Sequence, residues 1–154
     1  MNLLSSFFLF LHLLAASLWV GGMAAMHFAV RPAAAVTLEP PLRLPFMTAA
    51  LGRFFGWVSV AVVVLLVTGF GMVGMAGGFK NVHWSVHAML ALGLVMMALF
   101  GHLRFGAYPK LRRHVEAFEW SGAAVRLNSI RRMVAVNLGL GVLVFAVAIV
   151  GQAM

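Results

Sequence analysis

The chain has 154 residues, of which 64% are hydrophobic and 9% are charged, and its formal net charge is +8. A soluble domain carries about 25% charged residues, so this composition predicts an integral membrane protein. Nucleic-acid binding is not favoured, because the basic residues lie at the ends of apolar runs. The sequence contains no cysteine, which excludes disulfides, thiolate metal sites and iron–sulfur clusters.

Four apolar runs follow one another, and each meets the length of about 20 residues that a bilayer span requires. They predict an all-α fold, an integral membrane four-helix bundle with up-down-up-down topology, as a single transmembrane domain over residues 1–154. We expect the first run to be a retained helix, because it is longer than the apolar part of a signal peptide. The predicted helices cover about residues 3–30, 54–75, 82–105 and 133–153.

The connections between the runs are rich in turn-forming residues. Pro40 and Pro41 predict a turn-rich connection that extends to Pro45, and Pro109 is predicted to end the third helix. A polar segment, 106–132, separates the third and fourth helices. Within it, a short surface helix would bury Leu111, Val115, Phe118 and Ala123.

Basic residues are concentrated in two connections. Ten of the eleven Lys and Arg residues lie between the first and second runs or after the third run, including their flanks, and Lys80 lies in the remaining connection. The positive-inside rule therefore predicts that both basic connections, including segment 106–132, are cytoplasmic. The N- and C-termini are then periplasmic, in a bacterial-type inner membrane.

Two pairs of histidines repeat one spacing. His12 and His27 in the first run are fifteen positions apart, and so are His87 and His102 in the third. In a helix this is a rise of about 22 Å, with the second side chain rotated about 60° from the first. The two runs are predicted to be parallel, which would pair His12 with His87 toward the outer face and His27 with His102 toward the inner face.

Haem iron accepts two axial imidazoles, so the pairs predict a protein that binds haem b, with one or two haems. Arg31 and Arg104 at the inner face would pair with haem propionates, as would Arg53. The predicted function is bis-histidine electron transfer of the cytochrome b kind. The bilayer surrounds the protein, and a quinone or a redox partner protein would exchange electrons with it. Whether the chain is a catalyst, such as a quinone-linked oxidoreductase, and whether it forms oligomers stay open.

Two alternatives stand beside the haem hypothesis. A transmembrane histidine can simply form a hydrogen bond with a neighbouring helix, and Asn137 is expected to do the same. The second alternative is a copper site made by His83, His87 and Met75, with His12 nearby. Imidazole and thioether ligands together favour copper, particularly its reduced ion.

Several short motifs resemble those of a known family. His12-x6-Trp19-Val-Gly-Gly22, Leu51-Gly-Arg-Phe54, Thr68-Gly69 and Arg131-Arg132 before Asn137 look like the CopD-type copper-resistance membrane domain, over nearly the whole chain. This resemblance implies a helical inner-membrane domain linked to copper uptake or tolerance. The pattern is also similar to small four-helix haem-binding membrane proteins associated with protoporphyrinogen oxidation. That second resemblance implies a haem-binding role for His12 and His87 only.

Overall fold

The computed structural model describes residues 3–153, which form an antiparallel bundle of four long helices. The first helix spans Leu3–Thr37, the second Pro40–Met75, the third Trp84–Glu116 and the fourth Trp120–Ala153. Each is long and apolar enough to cross a membrane. The predicted all-helical membrane fold is therefore confirmed, and every regular element in residues 3–153 is helical.

The bundle has two chemically different ends. One end, which we call the terminal end, contains Leu3, Ala153 and the turn that connects Met75 to Trp84. The turns at residues 38–39 and 117–119 lie at the other, which we call the basic end because ten of the eleven basic residues are on its side. Which end faces the cytoplasm stays a prediction.

The second helix begins fourteen residues before its predicted span. Residues 40–45, expected to be a turn-rich connection, are helical, as are residues 46–53, and Pro40 and Pro41 occupy the first turn. Proline is favoured there, since its missing N–H has no helical partner in any case. Leu44, Met47 and Leu51 recur every three or four residues and are buried. This added length therefore packs as part of the bundle.

The first and third helices also continue past their predicted ends, each through a wide π-helical turn. These turns are Met26–Val30 and Leu103–Ala107, and each ends two residues before a proline, Pro32 or Pro109. Proline within a helix lacks a donor and its ring clashes with the carbonyl four residues earlier. The wider turn relieves that clash by changing the hydrogen-bond spacing. The prediction that Pro109 ends the third helix is therefore wrong.

The polar segment 106–132 is mostly helical, in two pieces joined at residues 117–119. Leu111 and Ala123 are completely buried, as predicted. Phe118 was also predicted to be buried, but 74% of it is exposed. It lies in the turn with φ 57°, in the left-handed region, so its side chain leaves the helical face that carries Leu111.

Aromatic side chains join three of the helices in the core. The ring of Phe100 lies 6.0 Å from that of Trp19 and 5.7 Å from that of Phe55, measured between centroids. Phe55 also contacts Tyr108 edge to face at 5.6 Å. The fourth helix closes this core with Ile130 and with other buried residues of the same cluster. The core therefore fixes the level of each helix relative to its neighbours.

Candidate functional site

His12 lies between the first and second helices, toward the terminal end. Its Nδ1 is 2.8 Å from the Oγ1 of Thr68. A Cβ added to Gly69 would lie 3.3 Å from the Cε1 of His12, so the glycine leaves room for the imidazole ring. The sequence therefore places a small residue and a hydroxyl side by side where the second helix meets this histidine.

The hydrogen bonds of Thr68 determine which nitrogen of neutral His12 carries the proton. The Thr68 hydroxyl donates to the carbonyl of Val64 at 2.6 Å. Because a hydroxyl has one proton, the Thr68 oxygen accepts the bond from the Nδ1–H of His12. The Nε2 of the neutral ring then keeps its lone pair. In this tautomer, the lone pair on Nε2 of His12 can bind a metal ion.

His83 is held in a different way. It caps the start of the third helix, where its Nδ1 accepts from the backbone N–H of Ser85 at 3.4 Å and lies 3.0 Å from the Ser85 hydroxyl. The ring also lies against the end of the fourth helix, 3.6 Å from where a Cβ of Gly151 would be. Because Nδ1 accepts, the proton of the neutral ring is on Nε2. To bind a metal ion through Nε2, the neutral ring must carry its proton on Nδ1 instead. Nδ1 could then no longer accept the capping bond from Ser85.

His87 and Met75 lie at the same end but toward the outside of the bundle. Both are exposed, and the ring of His87 lies 5.8 Å from that of Phe79 in the connecting turn. Among the described residues, no ring contact or hydrogen bond joins His87 to His12. Residues 3–153 also contain no group of three His, Cys, Asp or Glu side chains placed to hold a metal ion.

The histidines of the basic end are also placed differently from each other. His102 is exposed and lies beside Gly106, whose added Cβ would be 3.6 Å from the ring. His27 is half-buried and contacts Phe28 edge to face at 4.9 Å. It also lines a small cleft between the first, second and fourth helices, together with Arg31.

The three arginines predicted to bind propionates lie in unlike surroundings, and Arg53 is exposed on the second helix. Arg31 lines that cleft together with Arg131. Arg104 instead lies over aromatic rings, with its guanidinium carbon 5.8 Å from the centroid of Phe105 and 5.9 Å from that of Tyr108. These are cation–π contacts, which need no anion.

The residues that position these histidines were not identified as such from the sequence. Thr68 was noted only within a family motif, and Ser85 was not singled out. A hydroxyl inside an apolar span is a usable signal, because it needs a hydrogen-bond partner there. The identity of that partner depends on how the two helices are rotated against each other.

A comparison with protein-family models finds one match, to the family described as copper resistance protein D, over residues 48–150. No curated protein and no solved structure matches the chain. The matched range covers more than half of the chain and includes most of the second helix, the whole of the third and most of the fourth.

The haem-b electron-transfer hypothesis is wrong. The family match, which overturns it, is to copper resistance proteins. The two histidines of the predicted outer pair lie against different neighbours, Thr68 for His12 and Phe79 for His87. Equal spacing sets the depth of a side chain along a helix, whereas the rotation of the helix sets its direction. The fifteen-residue repeat therefore indicated the depth of each histidine but not the direction in which its side chain points. Metal binding by individual histidines stays a prediction.

Proposed function

The chain belongs to the copper resistance protein D family, and from this premise we propose that it binds copper ions inside the membrane bundle and carries them across the bilayer. Copper is the cargo in this proposal. The family match over residues 48–150 carries the proposal. The donor atoms of the terminal end support it, since imidazole and thioether groups are good ligands for reduced copper.

His12 is the first ligand we propose. Metal-binding histidines usually donate their second ring N–H to a neighbouring group, which holds the ring in one tautomer and orientation. Thr68 does this for His12 through the 2.8 Å contact to Nδ1. The unprotonated Nε2 is then the atom that binds copper.

Thioether ligands are available from the end of the second helix. Met72 follows Thr68 by four residues and therefore lies on the same helical face, one turn nearer the terminal end. Met75 is exposed at the end of that helix, and His87 is exposed at the start of the third. We propose that Met75 and His87 meet the ion first and that Met72 and His12 receive it. His83 is a weaker candidate than His12 as a copper ligand, because its Nδ1 already caps the third helix.

The charge pattern supports one direction across a bacterial-type inner membrane. With ten of the eleven basic residues on the side of the basic end, the positive-inside rule places that end in the cytoplasm. The terminal end, with His12, His87 and Met75, then faces the periplasm. Copper would therefore enter from the periplasmic side.

The test is copper(I) binding by the purified protein, measured in competition with a chromophoric chelator. We expect His12→Asn to lower the affinity by about tenfold or more, which is the range for a lost ligand or its support. His102→Asn is the matched control, because it changes an exposed histidine at the opposite end. The thermal unfolding midpoint of each variant shows whether it is folded, and His12→Gln serves if the asparagine variant is not.

Copper accumulation in cells that express each variant provides the second readout. We expect wild type and His102→Asn to change cellular copper to the same extent and His12→Asn to change it less. Equal affinity and equal accumulation for all three proteins would overturn the role of His12. A wild-type protein that neither binds copper nor changes cellular copper would overturn the proposed function.

A further inference from the structure

A small cleft opens at the basic end, between the first, second and fourth helices. We call it the basic cleft; its volume is about 30 Å³. Such a volume admits one or two water molecules, so a larger ligand would bind at the mouth and not inside. The residues that line it are Met26, His27, Arg31, Met47, Leu51, Leu127, Ile130, Arg131 and Val134.

The lining of the basic cleft carries positive charge that no ion pair among the described residues neutralises. Arg31 and Arg131 both line it, and Arg43 is close enough for its charge to act on Arg31. His27 is the other titratable group in the lining. The ion pairs recorded for residues 3–153 are Arg112–Glu116 and His114–Glu119, so none of them neutralises these three arginines.

Like charges held together at a partly buried site repel one another, and this cost falls when an anion binds between them. Arg131 also donates a hydrogen bond to the Oδ1 of Asn128, at 3.4 Å. This bond is long and its acceptor is uncharged, so it does not neutralise the arginine. Guanidinium groups match phosphate oxygens well, because each can donate two parallel hydrogen bonds. The charges therefore indicate a phosphate group as the ligand.

The walls of the basic cleft indicate which kind of phosphate. Leu51, Ile130 and Val134 are buried apolar residues that line the cleft together with the arginines. Along the sequence, the cleft residues lie where the apolar spans give way to the polar turns, and we expect this level to be that of the lipid headgroups. A phospholipid places its phosphate at this depth and its acyl chains along the apolar surface of the helices. Basic pockets between helices on one side of a membrane are a known form of anionic lipid site.

We infer that the basic cleft binds an anionic phospholipid, with the lipid phosphate between the guanidinium groups of Arg31 and Arg131. A free phosphate ion satisfies the charges but makes no use of the apolar outer surface of the helices. The inference is independent of copper, since the arginines lie at the end opposite to His12 and lipid binding is measured on metal-free protein.

The experiment measures the thermal unfolding midpoint of delipidated, detergent-purified protein during titration with phosphatidylglycerol. We expect the midpoint to rise with this lipid, and not with phosphatidylcholine or with inorganic phosphate. An equal rise with inorganic phosphate would show a free-anion site and would overturn the lipid assignment. An equal rise with phosphatidylcholine would show that charge is not recognised, which also overturns it.

Matched variants separate the cleft from the general charge of this end. Arg31→Gln/Arg131→Gln is expected to weaken phosphatidylglycerol binding by about tenfold or more, a tenfold change being the effect of losing one good charged contact. Arg113→Gln/Arg132→Gln removes the same charge from two exposed positions outside the cleft and is expected to bind as wild type does. Equal weakening in both variants would overturn the specific site.

If the glutamine variant does not fold, Arg31→Lys/Arg131→Lys replaces it. Lysine keeps the charge but cannot donate two parallel bonds to one phosphate. We expect this variant to bind phosphatidylglycerol several-fold more weakly than wild type. Unchanged binding would overturn the proposed placement of the phosphate.

Discussion

The hydroxyl of Thr68 holds the imidazole of His12 in one tautomer across the interface between the first and second helices. It accepts from the Nδ1–H of His12 at 2.8 Å and donates its own proton to the carbonyl of Val64 at 2.6 Å. The direction of the first bond follows from the second. The Nε2 of His12 is thereby left unprotonated, in a chain of a family associated with copper resistance.

Replacing Thr68 by valine tests this relationship, because valine has nearly the same shape but no hydroxyl. We expect the free energy of unfolding to fall by about 1 kcal/mol, the usual contribution of one hydrogen bond. Copper(I) affinity should fall by about tenfold, since His12 loses the group that orients it. Chelator competition and chemical unfolding measure the two effects.

Thr68→Ser is the control for that substitution, because serine keeps the hydroxyl. It should retain copper affinity close to that of wild type. If Thr68→Val binds copper as tightly as Thr68→Ser does, then Thr68 does not position His12 for metal binding.

Gly52 is predicted to be intolerant of any side chain. A Cβ at this position would collide with the hydroxyl of Tyr108, which donates to the carbonyl of Thr48 at 3.0 Å. Gly52→Ala should therefore lower the free energy of unfolding by about 1–3 kcal/mol, as overpacking of a tight interface does. The measurement is reversible unfolding in mixed micelles.

Gly56, one turn further along the same helix, provides a matched control. Nothing lies within 4 Å of a Cβ added there. Gly56→Ala should be neutral or stabilising by up to about 1 kcal/mol, because alanine is the better helix former. Equal destabilisation by both substitutions would mean that the second helix does not approach Tyr108 as the structure shows.

Asn137 joins the fourth helix to the third, as the sequence predicted, through a bond from its Nδ2 to the carbonyl of Met96 at 3.4 Å. Its Oδ1 is buried and has no hydrogen-bond partner among the described residues. Asn137→Leu loses one interhelical bond, worth about 0.6 kcal/mol on average, and also removes the unpaired oxygen. We expect a net change in the free energy of unfolding within about 1 kcal/mol.

Asn137→Asp should behave differently, because it puts an ionisable group at the same buried position. A carboxylate at the centre of a span costs about 2.5–3.5 kcal/mol, so this variant should be clearly less stable than Asn137→Leu at neutral pH. Comparable stability of the two variants would show that water reaches this position.

Orientation in the membrane can be tested without first removing native thiols, because the sequence has no cysteine. Ala76→Cys lies in the turn of the terminal end and Ser121→Cys lies near the turn of the basic end, and both positions are exposed. A membrane-impermeant maleimide applied to spheroplasts should label Ala76→Cys and label Ser121→Cys only after the membrane is opened. The reverse pattern would contradict the periplasmic placement of His12 and His87.

Several features of the helix ends could not be predicted from local sequence. Pro40, Pro41 and Pro45 were expected to lie in a turn-rich connection, yet they belong to the second helix; Pro109 was expected to end the third helix, yet that helix continues past it. Packing outweighs local preference here, because Leu44 lies in the segment that was expected to be a turn-rich connection and is almost fully buried. A π-helical turn before Pro109 removes the steric clash that the prediction had assumed.

The sequence by itself determined the membrane environment, the four spans, the all-helical class and the resemblance to copper resistance proteins. These properties depend on the length and composition of apolar runs and on local motifs, which need no knowledge of tertiary contacts. Only the tertiary structure decided that His12 faces Thr68, that His83 caps a helix and that Arg31 shares a cleft with Arg131. Each of these contacts depends on the rotation of one helix against another, and that rotation is set by packing among residues far apart in the chain.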